Sequence, residues 1–411
     1  MNPAKSGVRA AAGERAVGMR PWRFVVWFGI VSLLADFVYE GARSVTGPLL
    51  ASLGASAAVV GVVTGAGEAA ALGLRLVSGP LADRTGRFWA LAIGGYALTV
   101  VTVPLLGIAG TLGAACALVI AERVGKSVRS PAKDTLLSHA TAATGRGRGF
   151  AVHEALDQVS AIIGPLTVAA VLAATHDYGP ALGILAVPGA AVLALLWWLR
   201  TRVPDPAAYE NTPHAPSTAG PAEQPPTAGR EPLPRAFWVY AAFTAATMTG
   251  FATFGVLSFH LIQRHLLPAS LVPVLYAAAM LTDAAAALAT GWAYDRIGPR
   301  VLVVLPLLAA ATTALAFTDT VPAVVTGALL WGAATGVQES TLRATVADLV
   351  PTPRRATAYG LFAAVVGAAT LAGGALTGAL YSVSVPALIT TVITVQAAAL
   401  ALLAALRPPR T

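Results

Sequence analysis

Charge is scarce in this chain. Only 11% of its 411 residues are Asp, Glu, Lys or Arg, against about 25% in ordinary soluble domains, and 56% are apolar. That excludes a soluble globular protein. Cysteine occurs once, at Cys116, which excludes an intramolecular disulfide, and no Cys/His grouping has metal-ligand spacing. A phosphate-cradling G-x-x-x-x-G-K-[ST] loop is missing too, because Gly125-Lys126-Ser127 lacks the upstream glycine and falls inside an apolar helix. ATP-driven pumping is therefore disfavoured. No Ser/His/Asp arrangement is visible, so the chain is not expected to be an enzyme, and no cofactor or metal is expected. The first 20 residues have no apolar core, so they read as a cytoplasmic tail and not as a cleaved signal peptide.

What is abundant is apolar sequence, recurring from residue 24 to residue 406 with one clear interruption. A spanning helix takes about 20 residues. Breaking the apolar stretches at Gly, Pro and charged clusters predicts twelve spans, at 24–50, 57–79, 88–109, 111–132, 150–174, 179–199, 236–263, 270–293, 300–318, 321–342, 357–381 and 384–406. The expected fold is an all-α membrane protein of twelve transmembrane helices in two pseudo-symmetric six-helix bundles. The net charge of +8 is not a nucleic-acid face, because the basic residues fall in short clusters between spans. Arg84, Arg87, Lys133, Arg146, Arg148, Arg200, Arg202, Arg230, Arg235, Arg296, Arg300, Arg354 and Arg355 lie in alternate loops, which by the positive-inside rule predicts both termini in the cytoplasm of a multi-pass protein of a bacterial-type inner membrane.

The organisation reads as a cytoplasmic tail at 1–23, a first bundle at 24–199, a linker at 200–235, a second bundle at 236–406 and a short tail at 407–411. The linker is rich in Pro, Ala, Gly and Thr and lacks periodic apolar residues, as a flexible connection does. The bundles are parallel repeats: Gly79-Pro80-Leu81-Ala82-Asp83-Arg84-Thr85-Gly86-Arg87 returns as Gly291-Trp292-Ala293-Tyr294-Asp295-Arg296-Ile297-Gly298-Pro299-Arg300. Arg129 and Asp134 are echoed by Arg343 and Asp348. Such repeats typify secondary transporters with a midplane site.

The doubled G-x-x-x-D-R-x-G-R motif, the twelve spans, the six-plus-six division and the central linker resemble the major facilitator superfamily over nearly the whole chain. The resemblance implies alternating access and a gating role for Gly79, Asp83, Arg84, Gly86, Arg87, Arg129, Gly291, Asp295 and Arg296. It further implies that Asp83 pairs with Arg129, near the helix beginning around Ala356. Without it, Asp83 and Arg84 are turn formers with an orienting charge. The stretch Arg123-Val124-Gly125-Lys126-Ser127-Val128-Arg129 is similar to the family's fourth-helix motif, whose arginine is associated with proton transfer; Arg123 fits that position. Continued to Asp134, it resembles a bacterial branch described as efflux-like.

Ionisable groups inside the spans are expensive, about 2.5–3.5 kcal/mol each at the bilayer centre. The first half holds Asp36, Glu40, Arg43, Glu68, Arg75, Glu122, Arg123, Lys126, Arg129, His153, Glu154 and Asp157, and the second only His260, Asp283 and Glu339, with Arg343 at an edge. Coupling chemistry therefore belongs to the first half. Asp36, Glu40, Glu68, Glu154 and Asp157, with Arg123, are the candidate proton-coupling residues, since a carboxylate beside an arginine can exchange its proton for a substrate contact. The alternative for each is a salt bridge that fixes helix register, or snorkelling to the interface. Tyr39, Arg43, Phe251, Phe254, Phe259, Trp331, Gln338 and Glu339 are candidates to line a substrate cavity, aromatic faces beside carboxylates suiting a lipophilic cation; packing against helices or lipid is the competing role. Trp22, Trp27, Trp197 and Trp198 near span ends read as interfacial anchors. The expected partners are the lipid bilayer, a small-molecule substrate and protons, with no nucleic acid and no second copy of the chain. The function expected is proton-coupled export of a small organic molecule; import by symport or facilitation, and a non-transporting receptor on the same fold, remain open.

Overall fold

The computed structural model describes residues 19–144, 146–209, 232–351 and 354–405, giving only the helical backbone for 142–144, 146–154, 343 and 356. Residues 1–18 of the expected first tail, the expected tail at 407–411, most of the linker, and the side chains of His153, Glu154, Arg146, Arg148 and Arg343 lie outside the described residues, and the first helix begins at Pro21, inside the tail expected at 1–23. Among the described residues there is no strand. Physics permits little else, because a chain in hydrocarbon must satisfy its backbone polar groups within the spanning segment, which a helix does alone.

Ten helical segments are long and apolar enough to cross a membrane among the described residues, and the longest, Leu271–Ala316, covers two predicted spans. Its halves, Leu271–Ile297 and Val304–Ala316, are joined by a 3₁₀ turn that begins at Gly298, where φ is +63°. The fourth span, Leu112–Thr144, is absent from those ten for a chemical reason: charges crowd it from Glu122 to Asp134. The other helices follow the apolar stretches: Pro21–Ser52, Phe88–Gly107, Arg146–Thr175, Val321–Leu349, Arg355–Val383 and Val385–Ala405 are continuous.

Three spans are interrupted. The second bends at Leu74, between Ala57–Gly73 and Arg75–Thr85, and ends at Gly86, whose φ of +61° is the left-handed turn that glycine tolerates best. The sixth divides into Tyr178–Gly183 and Ala186–Arg202. The seventh breaks more completely, with Arg235–Thr249 and Phe254–Gln263 separated by Gly250 to Thr253. Side chains take up groups the break frees. Trp331 Nε1 donates to the Ala252 carbonyl at 3.0 Å, Gln396 Nε2 to the Thr247 carbonyl at 3.0 Å, and Thr253 Oγ1 accepts from the Val256 N–H to cap the second piece.

The apolar interior differs between bundles. The second bundle has one continuous core, from Phe237 through Tyr276 and Trp331 to Ala399. In the first the core is split: one cluster joins Val38, Val45, Val103, Val119 and Leu182, the other joins Phe24, Phe28, Trp89, Leu136 and Tyr209.

The bundles meet most closely where the second helix lies along the eleventh. A Cβ built on Gly61 would fall on the Gly374 carbonyl oxygen, one on Gly374 on the Gly61 carbonyl, and one on Gly378 on that of Ala57. Such contact of backbones is how membrane helices associate without a hydrophobic driving force. Gly47 packs likewise against Gly255 and Ser258, joining the first helix to the seventh. All these contacts lie toward the Ala57 and Val383 helix ends, away from the repeated motif. Gly61→Leu is thus expected to oppose closure of that end by about 1–3 kcal/mol. Spin labels at Ser56 and Val383, in a Cys116→Ala background, should report a longer distance in the variant; an unchanged distance distribution would mean that this contact does not hold the end shut.

Candidate functional site

A cavity of about 660 Å³ lies between the bundles. It starts at the closed end, beside Thr46, Thr64 and Thr370, and runs toward the motif-bearing ends, where Arg75, Leu76, Tyr359 and Gly360 line it. Its two walls are chemically unlike. The first bundle contributes the charges of Arg43, Glu68, Arg75 and Arg123, whereas the second contributes Phe251, Phe254, Trp331 and Phe362, with Gln338 and Glu339 among its polar groups. The broken part of the seventh helix forms part of this wall, as irregular backbone at membrane depth must line a cavity or be buried.

The aromatic wall is a packed unit. Phe251 stacks on Trp331 with centroids 6.2 Å apart, and Phe254 lies 5.2 Å from Trp331 and 4.7 Å from Tyr276. Phe259 does not join it, packing on Tyr381 instead.

The ionic wall is a chain of shared partners. Glu68 is ion-paired with two guanidinium groups, with Arg43 Nη2 at 3.2 Å and Arg123 Nη1 at 3.3 Å. Arg123 Nε in turn faces Glu122 Oε2 at 3.3 Å. Glu40 lies 3.8 Å from Arg43 and accepts from the hydroxyl of Tyr276, at 2.5 Å, which belongs to the opposite bundle. A second polar bridge between bundles joins Thr64 Oγ1 to Thr253 Oγ1 at 2.9 Å. Asp36 is bound by Arg129 at 2.9 Å, and Asp157 is 3.9 Å from Lys133. The helical spacing explains this assembly: Asp36, Glu40 and Arg43 share one face of the first helix, and Glu122, Lys126 and Arg129 share one of the fourth.

Tyr39, expected at the cavity, stands behind its wall. Its ring carries Lys126 Nζ at 3.6 Å and the guanidinium carbons of Arg123 and Arg43 at 4.5 and 5.9 Å. The ring face gathers cations that lipid would reject.

The motif residues are arranged differently from the expectation. Asp83, Arg84 and Arg87 are exposed, and Arg129 is spent on Asp36, so the pair Asp83–Arg129 is not made in this conformation. The second copy is also on the surface, where Arg296 sits 3.3 Å over the Trp292 ring and Asp295 is exposed. Gly79 and Gly291 have no atom within 4 Å of a built Cβ, so close approach does not account for them here; Gly86 is required by its backbone angle. Asp348 accepts from Tyr294 at 2.7 Å.

Sequence reading passed over Tyr276, whose position in an apolar helix announces nothing about its partner across the bundle interface. The break at Gly250 did leave a signal, because Thr249-Gly250 followed by the capping Thr253 is a stop and a start. In the second bundle His260 is buried and satisfied, bonding Tyr381 and the Thr318 carbonyl at 2.9 Å each.

Comparison with known proteins agrees with this architecture. A profile described as Major Facilitator Superfamily matches residues 28–282 and 260–411. An uncharacterised protein of Mycobacterium tuberculosis is 63% identical over 399 residues, 97% of this chain and 96% of the relative. An uncharacterised MFS-type transporter of Methanocaldococcus jannaschii is 25% identical over 368 residues, 88% of this chain and 89% of its own. Among solved structures, a point mutant of the nucleoside transporter NupG superposes with a TM-score of 0.73 at 14% identity, covering 93% of this chain and 98% of that one. A bacterial homologue of the human lysosomal transporter Spinster, inward-facing and occupied, gives 0.68 at 13% identity over 94% and 96%. The fold is therefore one that supports secondary transport by alternating access, and the chain belongs to the major facilitator superfamily.

Proposed function

We propose that the protein is a proton-coupled exporter of a small amphipathic organic molecule that carries a charged group. The observation that supports this most is the cavity itself, in which an aromatic wall faces Glu68 clamped between Arg43 and Arg123. An apolar ring system fits the first wall and a charged group competes for the second. A carboxylate that trades an arginine for a ligand or a proton is the minimal exchanger, because it cannot stay ionised and unpaired in a medium of low dielectric. With both termini cytoplasmic, the cavity faces the cytoplasm in this conformation, so a ligand is taken up from the inside. The first bundle does the coupling through Asp36, Glu40, Glu68, Arg123, Glu154 and Asp157, the motif residues gate the cytoplasmic side, and the protein acts as a monomer.

Flux in proteoliposomes tests the direction. With a panel of tetraphenylphosphonium, salicylate and glucose, an imposed pH gradient is expected to drive at least one probe against the proton flow. Glu68→Gln should reduce that flux by about tenfold or more, as expected when a buried charge pair loses one partner. Flux along the proton flow would replace export with symport, and flux indifferent to pH would replace it with facilitation.

The link from Glu40 to Tyr276 ties the coupling chain to the opposite bundle. A hydrogen bond to a charged group is worth about 1.5–3 kcal/mol, so Tyr276→Phe is expected to shift the balance roughly tenfold away from this conformation. The distance between spin labels at Ser56 and Val383 measures that shift; no change would remove the link from the coupling pathway.

A further inference from the structure

Behind the ionic wall lies a second, much smaller space. It measures about 10 Å³ and is lined by Tyr39, Ala42, Thr102, Val103, Leu106, Leu118, Val119 and Glu122, with Arg43, Thr46 and Arg123 closing its side toward the main cavity. Those last three residues line both spaces. Three buried polar atoms of its lining residues have no hydrogen-bond partner among the described residues, the Tyr39 hydroxyl, Glu122 Oε1 and Arg123 Nη1, the last of which is ion-paired to Glu68 toward the main cavity; Tyr39 is 1% exposed and Glu122 is 7%. One water needs about 10–15 Å³ and at least two polar partners.

We propose that this pocket holds a single water between Tyr39 and Glu122, and that Glu122 is the carboxyl group that carries the proton in this conformation. The inference deepens the reading of proton-coupled transport and rests on it for what the proton is used for. The charged groups around Glu122 are Arg123, Lys126 and Arg129 on its own helix, Glu40 and Arg43 on the first and Glu68 on the second; the third helix adds only the hydroxyl of Thr102. Glu122 has a share in one guanidinium, which it divides with Glu68, while Glu68 has two. Its other oxygen is buried without a hydrogen-bond partner, in a residue that shares the pocket lining with valines and leucines. An ionised oxygen there forfeits its solvation, whereas a carboxylic acid donates to the water and forfeits little.

The exchange follows from the shared guanidinium. A ligand group that takes Glu68 away from Arg123 leaves Arg123 to Glu122 alone. The O–H bond of Glu122 then breaks, its proton passes to the pocket water, and that water passes a proton past Arg43 and Thr46 into the main cavity. The carboxylate left behind is neutralised by Arg123, so one proton leaves the protein and no charge is stranded.

Infrared difference spectroscopy on the full chain in proteoliposomes reads this without a known substrate. The wild type at neutral pH should show a protonated carboxylic C=O band that is lost in Glu122→Gln, weakened in Glu68→Gln, which leaves Arg123 to Glu122 alone, and shifted in Tyr39→Phe. Heavy-oxygen water should shift one isolated O–H stretch, which Tyr39→Phe removes. A band that survives Glu122→Gln, or is absent from the wild type, overturns the assignment; a Tyr39→Phe spectrum identical to wild type overturns the pocket even if Glu122→Gln does not fold. A Glu122 band present together with pH-indifferent flux supports the site and counts against proton-coupled transport.

Discussion

Arg123 is the constraint around which the first bundle is arranged. An arginine 5% exposed within a spanning helix must be neutralised locally, and it is, by Glu68, while Glu122 lies against its Nε on the other side. Those two carboxylates then depend on it. Glu68 brings in Arg43, Arg43 brings in Glu40, and Glu40 reaches the opposite bundle through Tyr276. A change of charge at any member is felt by the rest, because each shares a partner with the next. The apolar core of the first bundle falls into two clusters, whereas that of the second is continuous.

That asymmetry is superimposed on a repeat. Both bundles carry the same turn after their second helix, yet the ionisable residues gather in one bundle and the aromatic wall in the other. The two cavity walls differ accordingly: one half brings paired charges to it, and the other a packed aromatic surface. Between them, glycines of the second and eleventh helices bring backbones into contact at one end, while the cavity extends toward the other. The surface position of Asp83 belongs to the same conformation, since the ends that its motif occupies are the ones the cavity runs toward.

Much of this was legible in the sequence. Span limits followed the apolar runs, because length and hydropathy are what the bilayer selects, and the charged faces of the first and fourth helices followed from helical spacing. Phe251, Phe254, Trp331, Gln338 and Glu339 were placed in the cavity region by their depth in the spans. What sequence did not supply was pairing across helices. Arg129 chose Asp36 over Asp83, Tyr39 turned behind the wall, and Tyr276 became a partner of Glu40; each outcome depends on helix rotation and on how far the bundles are rocked, which no local spacing encodes. The side pocket is a still finer matter, a space the size of one water left between side chains of three helices.

The central claim is that ligand and proton compete within the carboxylate–arginine chain. The most direct measurement is proton exchange by the purified, detergent-solubilised protein in weakly buffered solution as tetraphenylphosphonium, salicylate and glucose are added in turn. The account predicts that a probe which binds releases a fraction of a proton to one proton per protein, and that Glu68→Gln abolishes the release. Binding with no proton change in the wild type would contradict it.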